Sequence, residues 1–352
     1  MRALTVIPGQ QGSAAVTDVE EPGPEQGDVL VDGLALGVCG TDREIIAGDY
    51  GQAPAGHERL VLGHESLGVV REEPEGSEFA AGDLVVGIVR RPDPVPCEAC
   101  ARGEFDMCRN GLFKERGINQ LDGYGSERWR VEREYCVKLD PGLRSVGMLM
   151  EPTTVVAKAV EQIQRIGEAM HFTPRRMLVT GAGPIGLLGA MLGVQRGLEV
   201  HVLDQVTDGP KPQLVESLGA TYHSGDIAAA MRKAKADAIL EATGVGKLVF
   251  DAMEHLSPGG IVCLTGLSPA GGTLPVEAGT INRDLVLQNN VVLGSVNANH
   301  RHYQAAAAAL AAADRSWLER IITRRVPLES YTEALETKPD DVKVVIEIGD
   351  GD

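Results

Sequence analysis

MLVTGAGPIGLLGAMLGVQRGLEVHVLD, residues 177–204, decides the fold. A short apolar run at 177–180 reads as a strand. It meets a glycine turn, G-A-G-P-I-G at 181–186, then an apolar stretch of helical length to about Gly197, then a second strand at 199–204. The three glycines have separate tasks at a dinucleotide pyrophosphate. Gly181 allows the sharp turn, Gly183 lets the backbone approach the phosphates, and Gly186 permits close helix–strand packing, with the anion at the positive end of the helix. Pro184 and Ile185 complete the loop, and Asp204 closes the second strand, where it is placed to accept from the adenosine ribose hydroxyls. Thr243 and Gly244, at the end of the strand-like ADAILEAT and just beyond it, are assigned to the same nucleotide. Asp204 repels a 2′-phosphate and the following Gln205-Val206 supply no arginine, so NAD is expected in preference to NADP, with NADP as the alternative.

Working outward, the segments ADAILEAT and GIVCLTG continue the alternation of strands with helices, the mark of a parallel, doubly wound α/β sheet. Upstream of about residue 150 the pattern differs: DVLVDGLALGV, LVLGHESLGVV and GDLVVGIV are short strand-like runs punctuated by Gly, Pro and Asp, as in a β-barrel. The period switches to 3.6 in TTVVAKAVEQIQRI, after Glu151-Pro152. Near residue 295 it changes again. YQAAAAALAAA at 303–313 is strongly helix-forming, and KVVIEI reads as a closing strand. A length of 352 residues is two domains' worth. The formal charge of −17 makes nucleic acid and an anionic membrane surface poor partners. With no signal-peptide core and no apolar run long enough to span a bilayer, a cytoplasmic protein is expected.

Three residue types point to a metal. Cys39 opens C-G-T-D, His64 and Glu65 stand in G-H-E, and Glu151 marks the domain junction; thiolate, imidazole and carboxylate together suit zinc. Each taken alone has an ordinary reading: Cys39 as a small core residue, His64 as a satisfied side chain, Glu151 as a helix cap. Three of the six cysteines, Cys97, Cys100 and Cys108, crowd into a proline-rich excursion. A structural zinc there lacks a fourth thiolate, which leaves Asp93, Glu98 or Glu104 to complete the set, or an empty reduced lobe. Cys136 and Cys263 read as core fillers. His300 and His302, in Asn-His-Arg-His, read as surface residues.

C-G-T-D, G-H-E, the Glu-Pro junction and G-A-G-P-I-G, at these separations, resemble the zinc-dependent medium-chain dehydrogenase/reductase superfamily over essentially the whole chain. R-R-P at 90–92, F-K-E-R-G-I at 113–118 and V-L-Q-N-N-V-V-L-G-S-V-N at 286–297 resemble its glucose 1-dehydrogenase branch. The resemblance implies a GroES-like β-barrel catalytic domain (1–155 and 295–352), a Rossmann domain (156–294) and an active site in the cleft between them. It carries catalytic zinc ligation onto Cys39, His64, Glu65 and Glu151, one glutamate acting through water, with Glu151 also near the substrate. Thr41 matches a hydroxyl that contacts the reacting oxygen, Glu115 a sugar-binding carboxylate and Asn297 a sugar-contacting amide. From the residues alone, Glu115 could equally pair with Lys114 or Arg116 on a solvated loop. The implied reaction is hydride transfer from C1 of an aldose, glucose or a close epimer, to NAD, giving the lactone, in a homodimer or homotetramer. A polyol or amino-cyclitol dehydrogenase uses the same machinery, and a non-catalytic NAD-binding protein is the reading from another class.

Overall fold

The computed structural model describes residues 1–72, 76–269 and 271–349. The chain divides into two compact units, residues 1–151 with the chain from 298 onward, and residues 152–297.

The first unit is built on a seven-stranded sheet. Its backbone is the strand Val29–Val38, flanked by Glu65–Val70 and by the C-terminal strand Lys343–Glu347, both antiparallel to it. The period-two reading of DVLVDGLALGV holds only at the start of that strand, where buried and half-buried residues alternate; from Gly33 onward every residue is buried. Val31, Leu36 and Val38 pack there with Leu62, Tyr124, Trp129, Val344 and Ile346, so the tail of the chain supplies part of the first unit's core. The proline-rich excursion begins with the short strand Arg90–Arg91, which leaves the main sheet and pairs instead with Lys114–Arg116 in a separate three-stranded sheet.

The second unit is a six-stranded parallel sheet in the order Thr221–Ser224, Glu199–Asp204, Arg176–Thr180, Ala238–Glu241, Ile261–Leu264, Val291–Gly294. The order runs outward from Arg176–Thr180 in one direction and then the other. A switch point therefore lies between that strand and Ala238–Glu241, at their carboxyl ends. The helix Pro184–Gln195 is buried continuously from Gly186 to Gly193, which its unbroken apolar sequence requires. The alanine tract forms the helix His300–Ala312, capped by the Asn299 side chain. Among the described residues no helix is long and apolar enough to cross a membrane.

Candidate metal centre and nucleotide loop

Cys39 ends the central strand and caps the helix Gly40–Ala47; its N–H donates to Asp42 Oδ2 at 2.9 Å. His64 follows Gly63, whose φ of +100° needs glycine, and sits at the entry to Glu65–Val70. These two turns bring Cys39 Sγ to 3.1 Å from His64 Nε2. The other ring nitrogen, Nδ1, lies 3.4 Å from Asp42 Oδ1, so Asp42 fixes which nitrogen faces the thiol. Ligand atoms of Cys39, His64 and Glu65 all lie within 4.8 Å of one another. Glu65 is 2% exposed and is paired with Lys343 Nζ, which also donates to the Val38 carbonyl at 3.0 Å. Gly37 leaves the room this pair occupies, since a Cβ there would run into Glu65 Oε2. Thr41 is half-buried in the first turn of the helix.

Electrostatics around this set call for a cation. Burial pushes the Glu151 carboxyl up to about 7, with Glu65 and Asp42 adding to the rise while His64 and Lys343 oppose it. Burial works against a charged His64 ring, yet Cys39 and Asp42 outweigh it and hold the imidazole well above its ordinary range. Lys343 and a protonated His64 face a thiol and three carboxylates; a divalent ion would take the place of the imidazole proton among these soft and borderline donors, which is the chemistry of zinc. Cys39, His64 and Glu65 thus fit the ion together; Glu151 belongs to their electrostatic surroundings and lies outside the 4.8 Å set.

Glu115 lies on the buried part of the strand Lys114–Arg116 and not on a solvated loop. It is 6% exposed, and Oε1 accepts from Arg90 Nε at 3.1 Å and Nη2 at 2.9 Å. Gly117, two residues on, packs against the Gly63 backbone, which seats this hairpin on the turn that carries His64.

The sulfurs of Cys97, Cys100 and Cys108 also lie within 4.8 Å of one another, with Cys97 and Cys100 at 3.7 Å. Backbone N–H groups, Arg109's first, lower the Cys97 thiol to about 6, and burial raises that of Cys100 to about 11. Asp93 lies beside the cluster: its Oδ1 accepts from the Val95 N–H at 2.8 Å, its Oδ2 is buried without a hydrogen-bond partner among the described residues, and its backbone N–H reaches the Cys100 sulfur. Glu98 pairs with Arg102, and Glu104 with Arg301 and Asn299. Cys136 and Cys263 are buried core residues. His302 corrects the surface reading: it is 1% exposed, with Nδ1 accepting from the Asn299 N–H at 3.1 Å.

In the second unit Gly181 has φ +92°, and a Cβ on Gly186 would strike the Gly181 carbonyl. Gly183 caps the helix that begins at Pro184 and continues through Ile185. Asp204 accepts from the Ala182 N–H at 2.6 Å and the Val206 N–H at 3.1 Å. Lys211 Nζ lies 3.5 Å from it, a cation the residues next to Asp204 did not announce. Glu241, unassigned from sequence, is fully buried and holds the Thr243–Gly244 loop, accepting from both backbone N–H groups at 2.9 and 3.1 Å and from Thr180 Oγ1 at 3.1 Å. A glutamate ending the otherwise apolar AILE run was the available signal. Asn297 belongs to this unit and adopts left-handed backbone at φ +61°.

Residues 144–348 match the family model described as the glucose dehydrogenase C-terminus, and residues 25–141 that of the alcohol dehydrogenase GroES-like domain. A glucose 1-dehydrogenase of Methanocella arvoryzae is 41% identical, covering 99% of this chain and 100% of its own. That of Thermoproteus tenax is 40% identical over 99% of both chains. The glucose dehydrogenase of Haloferax mediterranei, solved in complex with NADP, zinc and gluconolactone, superposes with a TM-score of 0.90 at 34% identity, covering 99% of each chain.

Proposed function

We infer, given that this chain belongs to the zinc-dependent medium-chain dehydrogenase/reductase superfamily and within it to the glucose dehydrogenases, all NAD(P)-dependent, that it oxidises glucose or a close epimer at C1 to the lactone, with either nicotinamide nucleotide as hydride acceptor. The observation that carries the reading is the cluster of half-buried Cys39 with buried His64 and Glu65, with its excess of negative charge, beside the strand that carries Glu115. The ligands of the Haloferax protein, zinc, NADP and gluconolactone, support the same chemistry.

Cys39, His64 and Glu65 would hold the zinc, with Glu151 beside them. Bound there, the ion supplies Lewis acidity toward a hydroxyl oxygen, as when metal-bound water falls from a pKa of about 15.7 to about 7. Asp42 keeps the His64 ring in one orientation, and Lys343 restrains the Glu65 carboxylate. Thr41 Oγ1 would hydrogen-bond the reacting oxygen and relay its proton to solvent, giving up its own hydroxyl proton as it takes the incoming one. Glu151, raised by burial and by its neighbours Glu65 and Asp42, is one of the carboxyl groups whose charge the ion would balance. Glu115 accepts from a ring hydroxyl, and Asn297 offers both a donor and an acceptor to the sugar. Gly181, Gly183 and Gly186 accommodate the pyrophosphate, with Thr243–Gly244 held ready by Glu241. Lys211 offsets the repulsion that Asp204 exerts on a 2′-phosphate, so both NAD and NADP are accepted.

Steady-state rates on glucose, galactose, xylose, sorbitol and inositol with each nucleotide test this reading. Turnover of aldoses is expected, with Cys39→Ala losing bound zinc and about 100- to 1,000-fold in kcat, as expected when an electrostatic stabiliser of the reacting oxygen is removed. Turnover of polyols alone, or full activity and metal content in Cys39→Ala, overturns it.

A further inference from the structure

We propose that Arg90 is a positioning residue for the sugar: it fixes Glu115 and ties it to the three-cysteine lobe through the carbonyl of Asp106. The proposal rests on the reading above that Glu115 contacts substrate.

Arg90 is 6% exposed and lies directly across the small sheet from Glu115. Each of its three guanidinium nitrogens donates one hydrogen bond. Nε and Nη2 both donate to Glu115 Oε1, at 3.1 and 2.9 Å, while Nη1 donates to the Asp106 carbonyl at 3.1 Å. The guanidinium carbon stands 3.7 Å from the centre of the Phe113 ring, which sets the plane of the fork. With Oε1 held twice, the Glu115 carboxylate is restrained at that oxygen, and its swing is limited with it. A lysine would supply one point charge and could not hold both ends.

The carbonyl at the far end belongs to the single turn Phe105–Met107, and the next residue is Cys108 of the thiol cluster. The same turn is pinned on its other side, where Asp106 Oδ1 accepts from Asn299 Nδ2 at 2.7 Å and Glu104 accepts from Arg301 Nη1 at 2.6 Å. The turn that leads into the cysteine lobe thus presents one carbonyl, that carbonyl holds the arginine, and the arginine holds the acid. A disturbance at Cys108 therefore reaches Glu115 along the backbone of this turn and two buried contacts, the Asp106 carbonyl with Arg90 and Arg90 with Glu115, without passing through the nucleotide.

Steady-state kinetics on the zinc-loaded protein test this with Arg90→Gln, Arg90→Lys, Glu115→Gln, the Arg90→Gln/Glu115→Gln double variant, and Cys108→Ser alone and combined with Arg90→Gln. Arg90→Gln is expected to raise KM for glucose about 10-fold or more, with KM for the nucleotide within about twofold, because only the sugar side of the site is touched. Arg90→Lys should recover part of the loss. The double variant should be no worse than Glu115→Gln alone, and Cys108→Ser should raise KM for glucose in the native background but not beside Arg90→Gln. Unchanged KM for glucose, parallel losses in both KM values, or additive effects in either pair overturn the proposal. If Arg90→Gln does not fold, Arg90→Lys replaces it in both cycles and the same outcomes decide. Failure of the unaltered protein to oxidise glucose removes the proposed function and this inference together; normal oxidation by a variant lacking Arg90 removes the inference alone.

Discussion

Lys211 stands 3.5 Å from Asp204 at the start of the helix Pro210–Ser217, while Asp204 also accepts two backbone N–H bonds from its own turn. An acid so engaged is a weaker barrier to a second phosphate than a bare one. Unit charges about 4 Å apart interact by about 4 kcal/mol at the effective dielectric of a protein surface, and a tenfold change in affinity needs only about 1.4 kcal/mol. Removing the lysine should therefore show in nucleotide choice. Lys211→Gln is expected to raise KM for NADP at least about 10-fold more than KM for NAD, measured at saturating glucose. A parallel change in both would separate Lys211 from the choice. Asp204 could be read from its position after the glycine turn, because strand, turn and acid are contiguous. Lys211 could not, because only the fold of Asp208–Pro210 decides where a side chain seven residues on will point. The roles of Asp42, Lys343 and Arg90 escaped for the same reason: each acts on a partner 22 to 278 residues away, and the motifs that contain Asp42 and Arg90 do not name that partner.

Neighbouring strands of the parallel sheet set up a pH dependence of their own. His201 on Glu199–Asp204 and His223 on Thr221–Ser224 meet Nδ1 to Nε2 at 2.8 Å, their rings stacked with centroids 5.1 Å apart. One proton between the two nitrogens makes this bond, and a proton on each would set two donors face to face. Glu199 lies 3.1 Å from the outer nitrogen of His201. Burial, then the charges of His201 and Lys233, lowers the pKa of His223 from 6.5. Above that value the ring is neutral in both folded and unfolded chains. As pH falls through it, the unfolded chain takes up a proton that the folded one resists, so stability must fall with pH. The melting temperature should drop between pH 7.5 and 5.5, and His223→Gln should flatten that limb; an unchanged slope in the variant would place the acid sensitivity elsewhere. Sequence periodicity sufficed for this sheet and for the helix His300–Ala312, but not for the beginning of that helix. Asn-His-Arg-His looks like a solvated loop because its polarity is visible locally, whereas the groups that bury it, Asp106 and Glu104, lie more than 190 residues upstream.

Across the whole molecule 50 acidic side chains face 33 basic ones. Many of the basic groups are held in exposed pairs such as Arg102–Glu98 and Lys247–Asp251, which contribute little to stability and lose that little in salt. The pairs that matter to the site, Lys343–Glu65 and Arg90–Glu115, are buried and lie beyond the reach of mobile ions. What salt chiefly changes is therefore the mutual repulsion of the unmatched acids. The screening length falls from about 10 Å at 0.1 M to about 3 Å at 1 M, shorter than most distances between surface carboxylates. Potassium chloride over that range should raise the melting temperature. A gain of about 1 kcal/mol corresponds to a shift of roughly 2–4 °C for a chain of 150–250 residues and less for a longer one. Chloride is the anion to use, because sulfate stabilises folded proteins generally by exclusion from their surface and would give the same sign for another reason. A melting temperature that falls with potassium chloride would mean that the exposed ion pairs outweigh the repulsion, and that the charge of −17 is distributed so that its members seldom face one another.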